Sequence, residues 1–263
     1  MGASGSEGRS FARYRNRSAG IIGPVEAISG AWALDEIVHA GAEHVDPAYV
    51  AGYDRKAGYD PTEDVEDLRR RGLDRESTVV DIGCGAGTFA LAVAPHCRRA
   101  IAVDVSGAML SEVARRVAQS GVTNVRTVQA GFLTYEHEGA AANVVFTRNA
   151  LHHLPDFWKA LSLTRVASMM APGGILWLRD LVYSFEAAET GPVLDRWFDE
   201  ATDDPTTGYT RAELVEHVRA EHNTFTWLLE SMIEHAGFRI ASTELQPSRT
   251  YARYECVKAP PTP

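Results

Sequence analysis

The chain has 263 residues, 26 basic against 35 acidic, and a formal net charge of -9 at pH 7. Its basic residues are scattered, which argues against a nucleic-acid footprint, and its length suits one large α/β domain with an insertion. Three widely spaced cysteines, Cys84, Cys97 and Cys256, speak against a disulfide framework or a cysteine zinc site, and no metal is predicted. No apolar run approaches the ~18 residues of a membrane span and no secretory signal is visible, so a cytoplasmic chain with no membrane partner is expected.

Residues 1–20 are rich in Gly, Ser and Arg and are expected to form a flexible leader. From Ile21 to Ala42, the apolar residues Ile28, Trp32, Leu34, Ile37 and Val38 predict an amphipathic helix, and Pro47 to Val50 predict a shorter one. The aromatic and charged segment Tyr53 to Asp60 follows, then a helix over Pro61 to Arg71, whose Pro61 and Thr62 are start signals. Residues 21–72 are read together as a helical cap.

Val79-Val80-Asp81-Ile82-Gly83-Cys84-Gly85-Ala86-Gly87-Thr88-Phe89 is the organising stretch: a β-branched buried strand, a tight turn in which Gly83, Gly85 and Gly87 carry no Cβ where a ligand could approach the backbone, and a helix start. A dinucleotide fingerprint would place a third glycine where Thr88 stands. A second strand, Ala100 to Asp104, ends roughly 20 residues on in an acid that can accept both hydroxyls of a ribose. Nicotinamide enzymes use the same device. After the helix start at Val105 to Leu110, a third strand carries Val125, Thr127 and Val128 and leads into Gln129-Ala130-Gly131-Phe132-Leu133.

Asn143 to Arg148 form a strand running into Asn149-Ala150-Leu151-His152-His153, with a helix starting near Pro155 and Asp156. Neighbours in an extended loop point in opposite directions, so one histidine is expected to face a pocket, and His152 is the choice. A helix over 157–170 then stops at Ala171-Pro172-Gly173-Gly174, and the strand Ile175 to Asp180 follows. Asp180 can orient His152, hold a ligand or pair with Arg179. Residues 182–236 read as a helical insertion with a capping box at Thr210-Arg211-Ala212-Glu213. Gly237 to Ile240 and Tyr251 to Val257 close the domain, here placed at 73–258, as antiparallel strands, and 259–263 are a tail.

Asp81 with Gly83, Gly85 and Gly87 resembles motif I of the class I S-adenosylmethionine (SAM) dependent methyltransferases. The strand and His-His loop of 143–156, with the Pro-Gly-Gly before 175–180, are similar to small-molecule members of the ubiquinone/menaquinone biosynthesis type. The resemblance covers about Glu76 to Asp180 and, more weakly, Gly237 to Val257. It implies a Rossmann-like, doubly wound α/β fold. Its seven-stranded, mostly parallel sheet would have an antiparallel last strand, an N-terminal helical cap and a helical insertion.

The implied cofactor is SAM, and the implied reaction is methyl transfer to an oxygen or nitrogen of a small-molecule acceptor. SAM would be held by Asp81, Gly83, Cys84 and Gly85 at the turn and by Asp104 and Val105 at the ribose. Met109, Gly131 and Phe132 would flank the adenine, and Arg148 and Asn149 would lie near the sulfonium. Tyr53 or Arg55 would close over the amino-acid end. His152 would be the base, with Asp180 behind it. Where the family usually carries an acid that accepts from the adenine amino group, this chain has Phe132. The same pocket could instead serve cyclisation or lysis of SAM, and the oligomeric state is not encoded in any motif.

Overall fold

The computed structural model describes residues 26–41, 50 and 58–260. Its strands form where β-branched residues run together. They are β1 (Thr78–Ile82), β2 (Arg99–Asp104), β3 (Val125–Gln129), β4 (Ala142–Arg148) and β5 (Met170–Tyr183), followed by the two-residue β6 (Thr224–Phe225) and by β7 (Phe238–Leu245) and β8 (Tyr251–Lys258). The main sheet runs β3-β2-β1-β4-β5-β8-β7, with β6 paired to the far end of β5. Neighbours from β3 to β5 are parallel, and β8 runs antiparallel to both β5 and β7.

That order has a chemical consequence. The chain leaves β1 toward β2 and β3, then returns to β4 on the other side, so the strand order reverses at β1. Ligands of open α/β sheets bind beyond the carboxyl ends of the strands at such a reversal. Asp81, Asp104 and Arg148 all sit at these ends.

Alternation along β1 divides the core. Val80 and Ile82 face one layer with Val103, Leu176 and Leu178, while Val79 faces the other with Phe146 and Trp177. The layers are filled by helices α1 (Glu36–His39), α2 (Thr62–Arg70), α3 (Thr88–Val93), α4 (Gly107–Ser120), α5 (Asp156–Met169), α6 (Thr190–Asp199), α7 (Arg211–Ala220) and α8 (Thr226–His235). The Pro-Gly-Gly stop is a bulge inside the β4–β5 pairing, where Ala142 meets Met170 and Val144 already meets Ile175. A Cβ on Gly174 would press on the carbonyls of Ala171 and Asn143.

The segment before α2 differs from the expected long amphipathic helix. Between 26 and 41 only the four-residue α1 is helical, because Gly30 at φ +127° breaks the chain and Asp35 starts a new turn by accepting the Ile37 N–H. Trp32 and Val38 stay largely exposed, with Trp32 stacked on Trp158. The predicted leader, the short helix from Pro47 and the residues Tyr53 and Arg55 lie outside the described residues, apart from a helical Val50.

Helices α6 to α8 occupy the predicted insertion. Thr210 and Glu213 form the expected capping box, each side chain bonding the other's backbone N–H. Thr210→Ala is expected to cost about 1 kcal/mol, the usual worth of such a cap, measured as a lower denaturation midpoint. Besides the β5–β6 pairing, the insertion is held to the loop after β4, where His222 N–H donates to the His152 carbonyl at 2.9 Å. The buried Lys159 ammonium donates to the His222 carbonyl and to Asp156.

Candidate functional site

The glycine turn is held by the end of β2. Gly83 and Cys84 N–H both donate to the Val103 carbonyl, at 2.9 and 3.0 Å. Gly85 N–H donates to Asp104 Oδ2 at 2.9 Å and Ser106 N–H to Asp104 Oδ1 at 2.8 Å. Gly83 has φ +71°, and a Cβ there would collide with that of Ala150. The turn can therefore exist only without a side chain at that position.

Beside it opens a cleft of about 610 Å³, counted out to its open mouth. Of the residues predicted from the sequence, Gly83, Gly85, Asp104 and Val105 line one side, and Met109, Gly131, Phe132 and Asn149 line the rest. Asn149 holds its position with φ +51°, its N–H donating to the Arg179 carbonyl at 2.8 Å.

Asp81, Cys84 and Arg148 lie behind the turn, in a smaller cavity that shares Gly83 and Gly85 with the first. Burial, and then the nearby Asp104, push the Asp81 carboxyl well above the usual carboxylate range. Burial likewise raises the Cys84 thiol, with Asp104 and Asp81 adding to it, so this cysteine is no thiolate nucleophile. The Arg148 guanidinium lies 4.1 Å over the ring of Tyr59. Its Nε and Asp81 Oδ2 are buried without a hydrogen-bond partner.

Two lining residues escaped the sequence reading. Tyr59 sits in the aromatic segment from which Tyr53 was chosen, and its hydroxyl donates to Asp64 at 2.6 Å. Glu36 had no signal at all. It comes from α1 and lies over Gly131, where a Cβ would strike its carboxylate. Its Oε2 accepts from Leu133 N–H and Thr134 Oγ1, both at 3.1 Å. Burial raises its pKa against the lowering effect of those bonds.

The histidine choice needs correcting. Leu151 to His153 form a tight helical turn, so their side chains do not alternate as in an extended loop. His153 lines the cleft, whereas His152 is buried and held by Asp180. His152 N–H donates to Asp180 Oδ2 at 3.1 Å, and its Nδ1 bonds Asp180 Oδ1. Its Nε2 points to Glu221 Oε2, 3.3 Å away. Burial pulls the His152 pKa down, but the two carboxylates outweigh it and the net shift is upward. Asp180 is spent on His152 and on Leu181 N–H, not on the surface pair with Arg179 that the sequence had left open.

Comparison with known proteins bears on this arrangement. Residues 79–174 match the family described as a methyltransferase domain. They are a methyltransferase domain. An uncharacterized methyltransferase of Mycobacterium tuberculosis is 34% identical over 98 residues, 37% of this chain and 47% of that protein. A ubiquinone biosynthesis O-methyltransferase of Pseudomonas paraeruginosa is 28% identical over 132 residues, 48% of this chain and 56% of that one. The chain thus spans about half the length of the curated relatives it matches.

Among solved structures, the magnesium protoporphyrin IX methyltransferase of Synechocystis with bound S-adenosylhomocysteine superposes with a TM-score of 0.56 at 15% identity, over 88% of this chain and 90% of that one. Likeness at that identity establishes the fold. The methyltransferase domain here is the Rossmann-like, mostly parallel sheet with one antiparallel strand that the sequence predicted. No helix among the described residues is long and apolar enough to cross a membrane.

Proposed function

We propose that the chain binds SAM and transfers its methyl group to an oxygen or nitrogen of a small-molecule acceptor. The observation that carries this reading is the pair of buried, unpartnered atoms Asp81 Oδ2 and Arg148 Nε beside the glycine turn. An amino acid's ammonium and carboxylate match an ionised carboxyl and a guanidinium in charge, the ammonium drawing the buried Asp81 carboxyl into its ionised form, and Gly83 and Gly85, which the two cavities share, have no side chains to obstruct a ligand. SAM joins such an end group to a nucleoside. Asp104 would accept from the ribose hydroxyls, and Met109 and Phe132 would flank the adenine.

Glu36 supplies what Phe132 lacks. In this reading its carboxylate, delivered from α1 to the surface of Gly131, accepts from the adenine amino group in place of the acid missing at 132. Glu36→Gln is then expected to weaken SAM binding about fivefold, near the ~1 kcal/mol of one hydrogen bond, as read by calorimetry. An unchanged dissociation constant would remove Glu36 from the adenine site.

Methyl transfer is an in-line displacement. The carbon–sulfur bond breaks as the acceptor's lone pair bonds the methyl, the sulfonium leaves as a neutral thioether, and the acceptor's proton is released. The protein's share is to position the acceptor and dispose of one proton. The 149–154 loop would form the acceptor's wall, with His152 and Asp180 acting on the reaction by fixing that loop.

The test is incubation with SAM and a metabolite extract, followed by mass spectrometry of the nucleoside. S-adenosylhomocysteine that appears only with extract supports methyl transfer. Methylthioadenosine without an acceptor would identify lysis of SAM instead, and absence of SAM binding would overturn the reading altogether.

A further inference from the structure

We propose that His152, His153 and Glu221 form a binding site for a divalent transition-metal ion, of the zinc type, in the wall of the cleft. One ligand atom from each lies within 4.8 Å of the others. His152 Nε2 and Glu221 Oε2 are 3.3 Å apart, close to the about 3.4 Å that separates two ligands on a tetrahedral zinc with bonds of about 2.1 Å. The His153 ring lies beside that of His152, with 4.2 Å between centroids.

The partners of each atom add to the spacing. Asp180 Oδ1 bonds His152 Nδ1, which leaves Nε2 as the ring atom turned toward Glu221. Facing it is Glu221 Oε2, buried and without a hydrogen bond. A ring nitrogen and an unpartnered carboxylate oxygen facing each other in a buried site call for a cation between them, a proton on Nε2 or a metal ion.

Two of the three ligands are also oriented from behind, as metal ligands characteristically are. Asp180 fixes His152, and His217 Nδ1 holds the other Glu221 oxygen at 2.5 Å. Lys159, the nearby cation, is already committed to Asp156 and the His222 carbonyl. Two histidines and one glutamate are a donor set for zinc with one coordination position left open. Because His153 lines the cleft, the site borders the wall where the acceptor would lie. This last point rests on the methyltransferase reading, whereas metal binding does not. There the metal would lower the pKa of the bound acceptor's proton, which passes to solvent before the methyl transfer.

The experiment uses the full chain, stripped with a chelator and dialysed, without SAM. Titration with Co²⁺ is expected to give one equivalent bound per chain, with visible d–d absorption that Zn²⁺ abolishes by competition. His153→Gln and Glu221→Gln should each weaken binding about 100-fold, and Asp180→Asn about 10-fold. His153 is a cleft-wall side chain, so its variant keeps the fold, which circular dichroism checks. No stoichiometric Co²⁺ binding by the unmodified chain would overturn the proposal and leave a protonated His152 between two carboxylates. Binding that His153→Gln and Glu221→Gln do not alter would overturn it as well. Metal failure with normal methyl transfer rejects this inference alone, and metal binding without methyl transfer rejects the earlier one alone.

Discussion

Replacing Asp104 by alanine is expected to weaken SAM binding by about 1–3 kcal/mol, roughly 5- to 150-fold, the range for losing charge-assisted hydrogen bonds. Each carboxylate oxygen of Asp104 accepts one backbone N–H, from Gly85 or Ser106, and a carboxylate oxygen can accept more than one hydrogen bond, so the same oxygens can also meet a hydroxyl. The residue therefore has two duties, shaping the turn and meeting the ribose. Asp104→Asn separates them, because it keeps the side chain's size and one acceptor oxygen while removing the charge. Calorimetry should show weaker SAM binding for both variants, and a lowered melting temperature chiefly for alanine. Unchanged affinity in Asp104→Ala would take this residue out of the site.

The larger effect on stability is expected at Gly83→Ala. A left-handed backbone costs an ordinary residue about 1–2 kcal/mol, and forcing a methyl into a filled space costs about 1–3 more, so the variant should lose about 2–5 kcal/mol of unfolding free energy. The obstacle is a single methyl, that of Ala150 in the loop after β4. Adding Ala150→Gly to the same chain should restore the packing part and leave the backbone part. Chemical denaturation of the two singles and the double gives the coupling directly. Additive losses would mean that the two loops do not touch as described.

That contact explains what could be read from the sequence. Val79 to Phe89 announced strand, turn and helix because each depends on neighbouring residues: β-branched side chains, then glycines, then helical spacing. Asp104 was found for the same reason, as the acid ending the next strand. Thr210 and Glu213 were legible as a cap because a capping box is a local device.

What could not be read depends on distant parts meeting. Glu36 reaches Gly131 only after the segment before α2 has folded over the sheet, and its own surroundings read as one face of a helix that does not form. His152 turns from the cleft because Asp180, on the next strand, captures its ring, a pairing that no spacing within 149–156 reveals. Glu221 arrives from the insertion, whose helices were predicted without their placement. Tyr59 was overlooked in favour of Tyr53, since position within an aromatic segment does not say which ring an arginine will cover.

The segment of residues 26–41 has one more implication. Ile28 N–H bonds the Leu133 carbonyl, Glu36 bonds Leu133 and Thr134, and Arg165 reaches the Glu26 carbonyl, all on the side of the cleft where the nucleoside is placed. A nucleoside bound beneath Glu36 leaves only when some of these bonds part. Escape of the spent cofactor, more than the bond-making step, would then set the pace of repeated turnover. In a rapid-mixing experiment the first equivalent of methylated product would appear as a burst, followed by a slower steady rate, and weakening the strap would speed the second phase without changing the first.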